Sequence, residues 1–215
     1  AERHQINSIA HVSVGIQAAH FFLSKRPFEQ PVIVATSTDE RGPSLGEARI
    51  KAATEYMLIA GINAEQWIVR DESVGGLGLI RPRDEAESTR LAHGQLVSVR
   101  PRGGNTVTIG AIQWLQEAQD GDLHVGVKLV PGLPNPVAVR IDDLAKFVPA
   151  LLLPTVAALN APTSLLLPHG TYAPQREVEI HSHQRELVQL TGLLEVGADF
   201  ERVAFVPLEN GDVRS

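Results

Sequence analysis

Short apolar runs, separated every few residues by glycine, proline or charged residues, dominate the chain. Runs of this length, loosely alternating and flanked by turn residues, favour β-strands. The first part of the chain has six such runs. We predict strands at Ile9–Ile16, Gln66–Val69, Gly76–Ile80, Gln95–Val99, Thr106–Trp114 and Leu123–Leu129. Their spacing is typical of a small antiparallel barrel or sandwich.

One stretch, Leu45–Ala60, is rich in Ala, Glu and Leu and is predicted to form a helix that ends at Gly61. The polar segment Thr36–Pro43 before it reads as a loop. The apolar positions of the helix follow helical spacing, which predicts packing against the side of the barrel. Self-association through the same face, giving a homo-oligomer, is the alternative.

A turn-rich segment, Pro131–Pro136, is predicted to be a domain boundary. Beyond it we predict a second small β domain with five strands. These are Ala150–Leu153, Ser164–Leu167, Glu177–His181, Leu187–Thr191 and Arg202–Val206. The predicted organisation is a first domain over 1–136 with an insertion at about 24–63, a second over 137–208, and a polar tail over 209–215.

Composition narrows the class of protein. With 43% apolar and 20% charged residues, the 215-residue chain is ordinary for a globular protein. Its net charge of −6 argues against a broad nucleic-acid-binding surface. The apolar runs are too short to cross a membrane, and no secretory signal pattern opens the chain, so we expect a cytoplasmic protein. The absence of cysteine excludes disulfides and thiolate chemistry.

Signatures of enzymes and metal sites are missing from the sequence. It contains no P-loop, no HExxH and no GxSxG motif, so we do not expect an enzyme. The glycine-dense stretch Gly75–Gly78 lacks the spacing of a dinucleotide-binding fold. His181 and His183 form an HxH pair, but two ligands are too few, and we interpret both as turn histidines.

Two local features carry candidate binding chemistry. Asp71, Ser73 and Gly76 follow a short strand and are predicted to lie in a polar turn, where they would bond turn amides, a ligand, or both. An ordinary β-turn without a ligand is the alternative. Six arginines lie nearby in sequence: Arg70, Arg81, Arg83, Arg90, Arg100 and Arg102. Arginine suits phosphate and guanine, but five acidic residues in the same window also permit a solvated mixed-charge surface.

Together these residues resemble the PilZ domain family. Asp71, Ser73 and Gly76 match its D/N-x-S-x-x-G motif. Three downstream strands are similar to those of the family, in the same order: Gly94–Val99, Ile109–Trp114 and Val125–Leu129. The resemblance covers roughly residues 64–130. It implies a six-stranded antiparallel β-barrel with an inserted helix, and binding of the bacterial second messenger cyclic di-GMP.

In the family, an R-x-x-x-R segment before the first strand also binds the ligand. This chain has Arg3 at the first arginine position but Asn7 at the second, and the interval from Arg3 to Asp71 is longer than is usual. Arg70, Arg100 and Arg102 are candidates to compensate for the missing arginine. The residues expected to bind ligand are Asp71, Ser73, Gly76, Arg70, Arg3, Asn7, Arg100 and Arg102.

Two functions remain open at this stage. The first is a regulatory module that binds cyclic di-GMP and relays the signal by domain rearrangement or through a partner protein. The intact D-x-S-x-x-G motif and the arginines favour it. The second is a degenerate PilZ-like adaptor that binds proteins and no nucleotide, which the incomplete arginine motif favours.

Overall fold

The computed structural model describes residues 3–31, 46–85, 89–141, 146–182 and 184–208. The architecture is mainly β, with two closed barrels of six antiparallel strands each. The predicted fold class is therefore confirmed. None of the helices among the described residues is long and apolar enough to cross a membrane.

The first barrel contains all six strands predicted for this part of the chain. They are β1 (His4–Val14), β2 (Glu65–Ser73), β3 (Gly76–Arg81), β4 (Leu96–Pro101), β5 (Thr108–Glu117) and β6 (Leu123–Leu129). Around the barrel the order is β1-β2-β3-β6-β5-β4, closed between β4 and β1. Each of the six strands contributes apolar side chains to the barrel interior, where they surround the fully buried Trp67 and Ile112. A 3-10 turn, Arg83–Glu85, follows β3.

Two helices lie between β1 and β2. The predicted helix is present as α2 (Gly46–Ile59), while the predicted loop Thr36–Pro43 lies outside the described residues. A second helix, α1 (Ile16–Ser24), was not predicted. It begins directly after Gly15, whose φ of 90° turns the chain out of β1. Helix α2 packs on α1, with Tyr56 stacked on Phe21 at 5.6 Å.

The second barrel repeats the connectivity of the first. Its strands are β7 (Asn135–Ile141), β8 (Val148–Leu153), β9 (Ser164–Pro168), β10 (Glu177–His181), β11 (Arg185–Val196) and β12 (Phe200–Pro207). They close in the order β7-β8-β9-β12-β11-β10. Five of these strands were predicted and β7 was missed. Strand β7 begins inside the predicted boundary segment. It was missed because Asn135 and Pro136 are typical turn residues, although both belong to the strand.

A continuous apolar cluster joins the two barrels and α1. Its buried members are Ala19, Leu96, Val107, Ile109, Ala111, Val130, Leu151, Leu153, Leu166 and Phe200. Two hydrogen bonds reinforce it: Ala198 N donates to Gly94 O at 2.7 Å, and Leu96 N donates to the side-chain Oδ1 of Asp199 at 2.8 Å. Burial raises the pKa of Asp199, partly offset by that hydrogen bond. The barrels therefore share a packed interface rather than a flexible linker.

Candidate functional site

The D-x-S-x-x-G residues lie on the β2–β3 hairpin, but not in the predicted turn. Asp71 and Ser73 belong to β2, and the turn itself is only Val74 and Gly75, because Ser73 pairs directly with Gly76. Ser73 Oγ donates to Gly76 O at 3.3 Å. A Cβ on Gly76 would lie 2.8 Å from Val127 O on β6, so no larger residue fits there without a shift.

The Asp71 carboxylate is buried and bound by two arginines. Arg3 Nη1 donates to Oδ1, and Arg70 Nε donates to Oδ2 at 2.8 Å. Burial by itself raises the pKa of Asp71, but the hydrogen bonds and positive charges of Arg70 and Arg3 lower it by more. The net pKa lies below the ordinary value of 3.8, so the carboxylate is ionised at neutral pH.

Arg70 is also held from the other side. Its Nη1 lies 3.3 Å from Nδ1 of His124 on β6. Because a guanidinium has donors only, His124 Nδ1 must be the acceptor. The side chains of Arg3 and Arg70 remain 50% and 36% exposed, so both still present positive charge to solvent next to Asp71.

Asn7 lies beside this cluster. The β1–β2 register pairs Gln5 with Asp71 and Ser8 with Val69, which places a bulge containing Asn7 opposite Arg70. Asn7 has a positive φ of 53°, which asparagine tolerates better than most residues. Arg3 therefore meets Arg70 and Asp71, which lie far from it in sequence, and Asn7 lies opposite Arg70 in the β1–β2 pair.

The structure does not bring Arg100 and Arg102 to this cluster. Arg100 lies in β4 and Arg102 directly follows it, and β4 pairs with the opposite edge of β1 from β2. The Arg100 guanidinium lies 5.8 Å from the ring of Phe22 on α1. The Arg102 backbone donates to Ile9 O, and its side chain is exposed.

Sequence reasoning missed a row of paired residues that crosses the outer face of the barrel. Across four strands, Asp71 pairs with Gly78, Gly78 with Gly126, and Gly126 with Trp114. A Cβ on Gly78 would lie 2.6 Å from the Asp71 carboxylate, and one on Gly126 would lie 2.0 Å from Trp114 Nε1. The Asp71 carboxylate thus lies over Gly78, and the Trp114 indole lies over the neighbouring Gly126. Glycines inside apolar strands were the signal available in the sequence.

Two β-bulges create this arrangement. Register shifts between Val69 and Asp71 on β2, and between Ile112 and Trp114 on β5, interrupt the two-residue alternation. Without them Asp71 and Trp114 would face the barrel interior with Val69 and Ile112. The bulges turn both side chains outward, onto the same face. Trp114 is 39% exposed there.

Chemically, this face combines groups that suit a planar, phosphorylated ligand. An exposed indole offers a stacking surface, the carboxylate accepts hydrogen bonds from a base edge, and the guanidinium groups suit phosphate. In the described part of the chain no three His, Cys, Asp or Glu residues lie close enough to hold a metal ion. His181 ends β10, while His183 is outside the described residues.

Comparison with known proteins gives two findings. Residues 137–208 match the family described as the FimW C-terminal beta-barrel domain. The chain is also similar to the cyclic-di-GMP receptor FimW of Pseudomonas aeruginosa, with 23% identity over 120 residues. That match takes in 54% of this chain and only 19% of the length of the relative. No solved structure matches.

Proposed function

We propose that this chain is a bacterial, cytoplasmic regulatory module that binds cyclic di-GMP and performs no chemistry. The observation that carries the proposal is the cluster of Arg3, Arg70 and Asp71 beside an exposed tryptophan on one barrel face. The similarity to a protein named as a cyclic-di-GMP receptor supports it. So does the resemblance of residues 64–130 to PilZ domains.

In this proposal the ligand lies against the outer surface formed by Asp71 and Trp114, which cover Gly78 and Gly126. One guanine stacks near the Trp114 indole, and the Asp71 carboxylate accepts hydrogen bonds from a guanine edge. Arg3 and Arg70 bind phosphate oxygens. Because each already binds Asp71 through one nitrogen, the carboxylate also orients them.

The signal leaves the module through a partner protein or through a change at the interface between the barrels. Helix α1 gives the first barrel a route to the second, since it follows β1 directly and packs against β8 and β7 as well as β4. A ligand that reorders Arg3 at the start of β1 acts on the same strand that ends at α1. The adaptor that binds only proteins is the competing function.

Isothermal titration with cyclic di-GMP separates the two functions. We expect saturable binding at micromolar concentration, lost in Asp71→Ala and weakened in Ser73→Ala. Arg70→Ala should lower affinity about ten- to hundred-fold, the worth of one charge-assisted hydrogen bond. Arg83→Ala is the matched control, because Arg83 is an exposed arginine on the 3-10 turn after β3.

Absence of binding by the wild-type chain at a large excess of ligand would favour the adaptor. Equal affinity of the Arg70→Ala and Arg83→Ala variants would contradict the proposed position of the ligand. Thermal unfolding of each variant shows whether a lost signal reflects a lost fold.

A further inference from the structure

Lys128 lies on the outer face of the first barrel, two residues beyond Gly126 on β6. The intervening Val127 points into the barrel core, so Gly126 and Lys128 share the outward side of the strand. The Trp114 indole covers Gly126. Two residues along a strand span about 7 Å. Lys128 is therefore a close neighbour of the tryptophan on which a guanine is proposed to stack.

Lys128 also borders the D-x-S-x-x-G motif. In the β3–β6 register it pairs with Gly76, and Gly76 pairs in turn with Ser73 on β2. Because Gly76 has no side chain, nothing on that residue covers the lysine. The Lys128 side chain is 59% exposed. Its ammonium group is thus accessible to a ligand that lies on the Asp71 face.

On its other side Lys128 meets the second barrel. In the β5–β6 register it pairs with Ala111, which belongs to the apolar cluster that joins the two barrels. Glu195 on β11 of the second barrel reaches the lysine there, and Lys128 Nζ donates to Glu195 Oε1 at 3.4 Å. This ion pair links the two barrels at the border of the candidate ligand face.

An anionic ligand can replace this ion pair. A single long bond from an exposed lysine contributes little stability, and a phosphate oxygen offers the ammonium group the same charge-assisted hydrogen bond. Glu195 keeps a positive neighbour without Lys128, because the β11–β12 register pairs it with Arg202. Burial lowers the pKa of Arg202, and the negative charge of Glu195 partly offsets that shift. Glu195 is therefore already near a second cation, within its own barrel.

We infer, on the basis of the proposed cyclic di-GMP binding, that Lys128 binds a ligand phosphate and that Glu195 of the second barrel competes for it. Cyclic di-GMP has two phosphates, so one binds Arg3 and Arg70 while the other binds Lys128. Ligand binding then exchanges the Lys128–Glu195 contact for a lysine–phosphate contact. The second barrel in this way sets the affinity of the first for ligand, and by linkage the ligand weakens a contact between the barrels.

The sharpest test removes the competitor, because this change should improve binding. Glu195→Gln keeps the size of the side chain but removes the charge that holds Lys128. In isothermal titration of the full chain, its affinity for cyclic di-GMP should rise about two- to fivefold. A merely structural role of Glu195 would give no such gain. Glu186→Gln is the matched control, since it removes the same charge from an exposed position of β11 that pairs with Ile180 on β10, and it should bind like the wild-type chain.

A second pair of variants tests the lysine. Lys128→Gln should weaken cyclic di-GMP binding about tenfold, whereas Lys146→Gln, at an exposed position before β8, should not. Adding Glu195→Gln to Lys128→Gln should give no further change, because no lysine remains for which Glu195 competes. Thermal unfolding of each variant shows that its fold is retained.

A Glu195→Gln chain that binds no more tightly than Glu186→Gln would overturn the inference. So would a Lys128→Gln chain that binds like Lys146→Gln. With either result the proposed function stands if the wild-type chain binds cyclic di-GMP and Asp71→Ala does not. A wild-type chain that binds no cyclic di-GMP would instead overturn the proposed function, and the role of Lys128 with it.

Discussion

Replacing Gly78 by alanine tests the site without changing any charged residue in it. The new Cβ would lie 2.6 to 2.8 Å from three atoms of the Asp71 carboxyl group. Asp71 must then move, and we expect the shift to disturb its hydrogen bonds to Arg3 and Arg70. Gly78→Ala is therefore expected to disturb the cluster of Arg3, Arg70 and Asp71 without replacing any of its residues.

The expected loss of stability is modest. Because the two arginine side chains are 50% and 36% exposed, each ion pair contributes no more than about 1 kcal/mol. Losing both, with some steric cost, amounts to about 1–2 kcal/mol, or a fall in Tm of about 2–8 °C for a chain of this size. The loss of ligand affinity should be larger, about ten- to hundred-fold, since a misplaced carboxylate no longer orients either arginine.

Gly75→Ala is the matched control. Gly75 lies in the turn of the same hairpin, and a Cβ there meets nothing within 4 Å. Thermal unfolding and isothermal titration with cyclic di-GMP are measured for both variants. If Gly78→Ala bound and unfolded like Gly75→Ala, the placement of Asp71 against Gly78 would be refuted.

Other predictions concern neighbouring groups. The pKa of His20 is about 4 in the folded chain against an ordinary 6.5, so the unfolded chain takes up a proton first as pH falls. In chemical denaturation, the wild-type chain should lose about 2 kcal/mol of unfolding free energy between pH 7.5 and pH 5, and the His20→Gln variant should not. The pKa of Asp71 is lowered, so its stabilisation is complete above pH 3.8 and disappears as pH falls through the folded pKa; the stability gap between wild type and Asp71→Asn should close in acid and persist at pH 6. Glu65 forms a buried two-bond pair with Arg81 at 2.7 Å, so Glu65→Ala should cost about 3–5 kcal/mol in urea denaturation, and a cost under 1 kcal/mol would contradict that pairing. Gly126→Ala should displace the Trp114 indole and change tryptophan fluorescence, whereas an unchanged spectrum would argue against the close packing.

Alternation of apolar residues was enough to predict eleven of the twelve strands, because a barrel wall with one buried face imposes a period of two. It failed at β7, where Pro136 lies within a strand. It also failed at α1, whose apolar sequence packs between two barrels, so that no polar face marks it as helical. A contact between domains is not visible in the periodicity of one segment.

The site was predictable only in part. Resemblance identified Asp71, Ser73 and Gly76, and neighbourhood in sequence suggested Arg70. Trp114 was assigned only to a strand, since a strict two-residue period turns it inward. Its place beside Asp71 depends on two bulges and two glycines on four different strands, a register that no local pattern encodes.

The central claim, a cyclic di-GMP site on the Asp71 face, is tested most directly by the two tryptophan indole N–H signals in a ¹H–¹⁵N correlation spectrum. The chain has two tryptophans, one exposed at the proposed site and one buried with its indole bound to Glu65. On titration with cyclic di-GMP, the Trp114 signal should shift saturably, the Trp67 signal should stay in place, and Asp71→Ala should abolish the shift. A Trp114 signal that does not move at millimolar ligand would contradict the account.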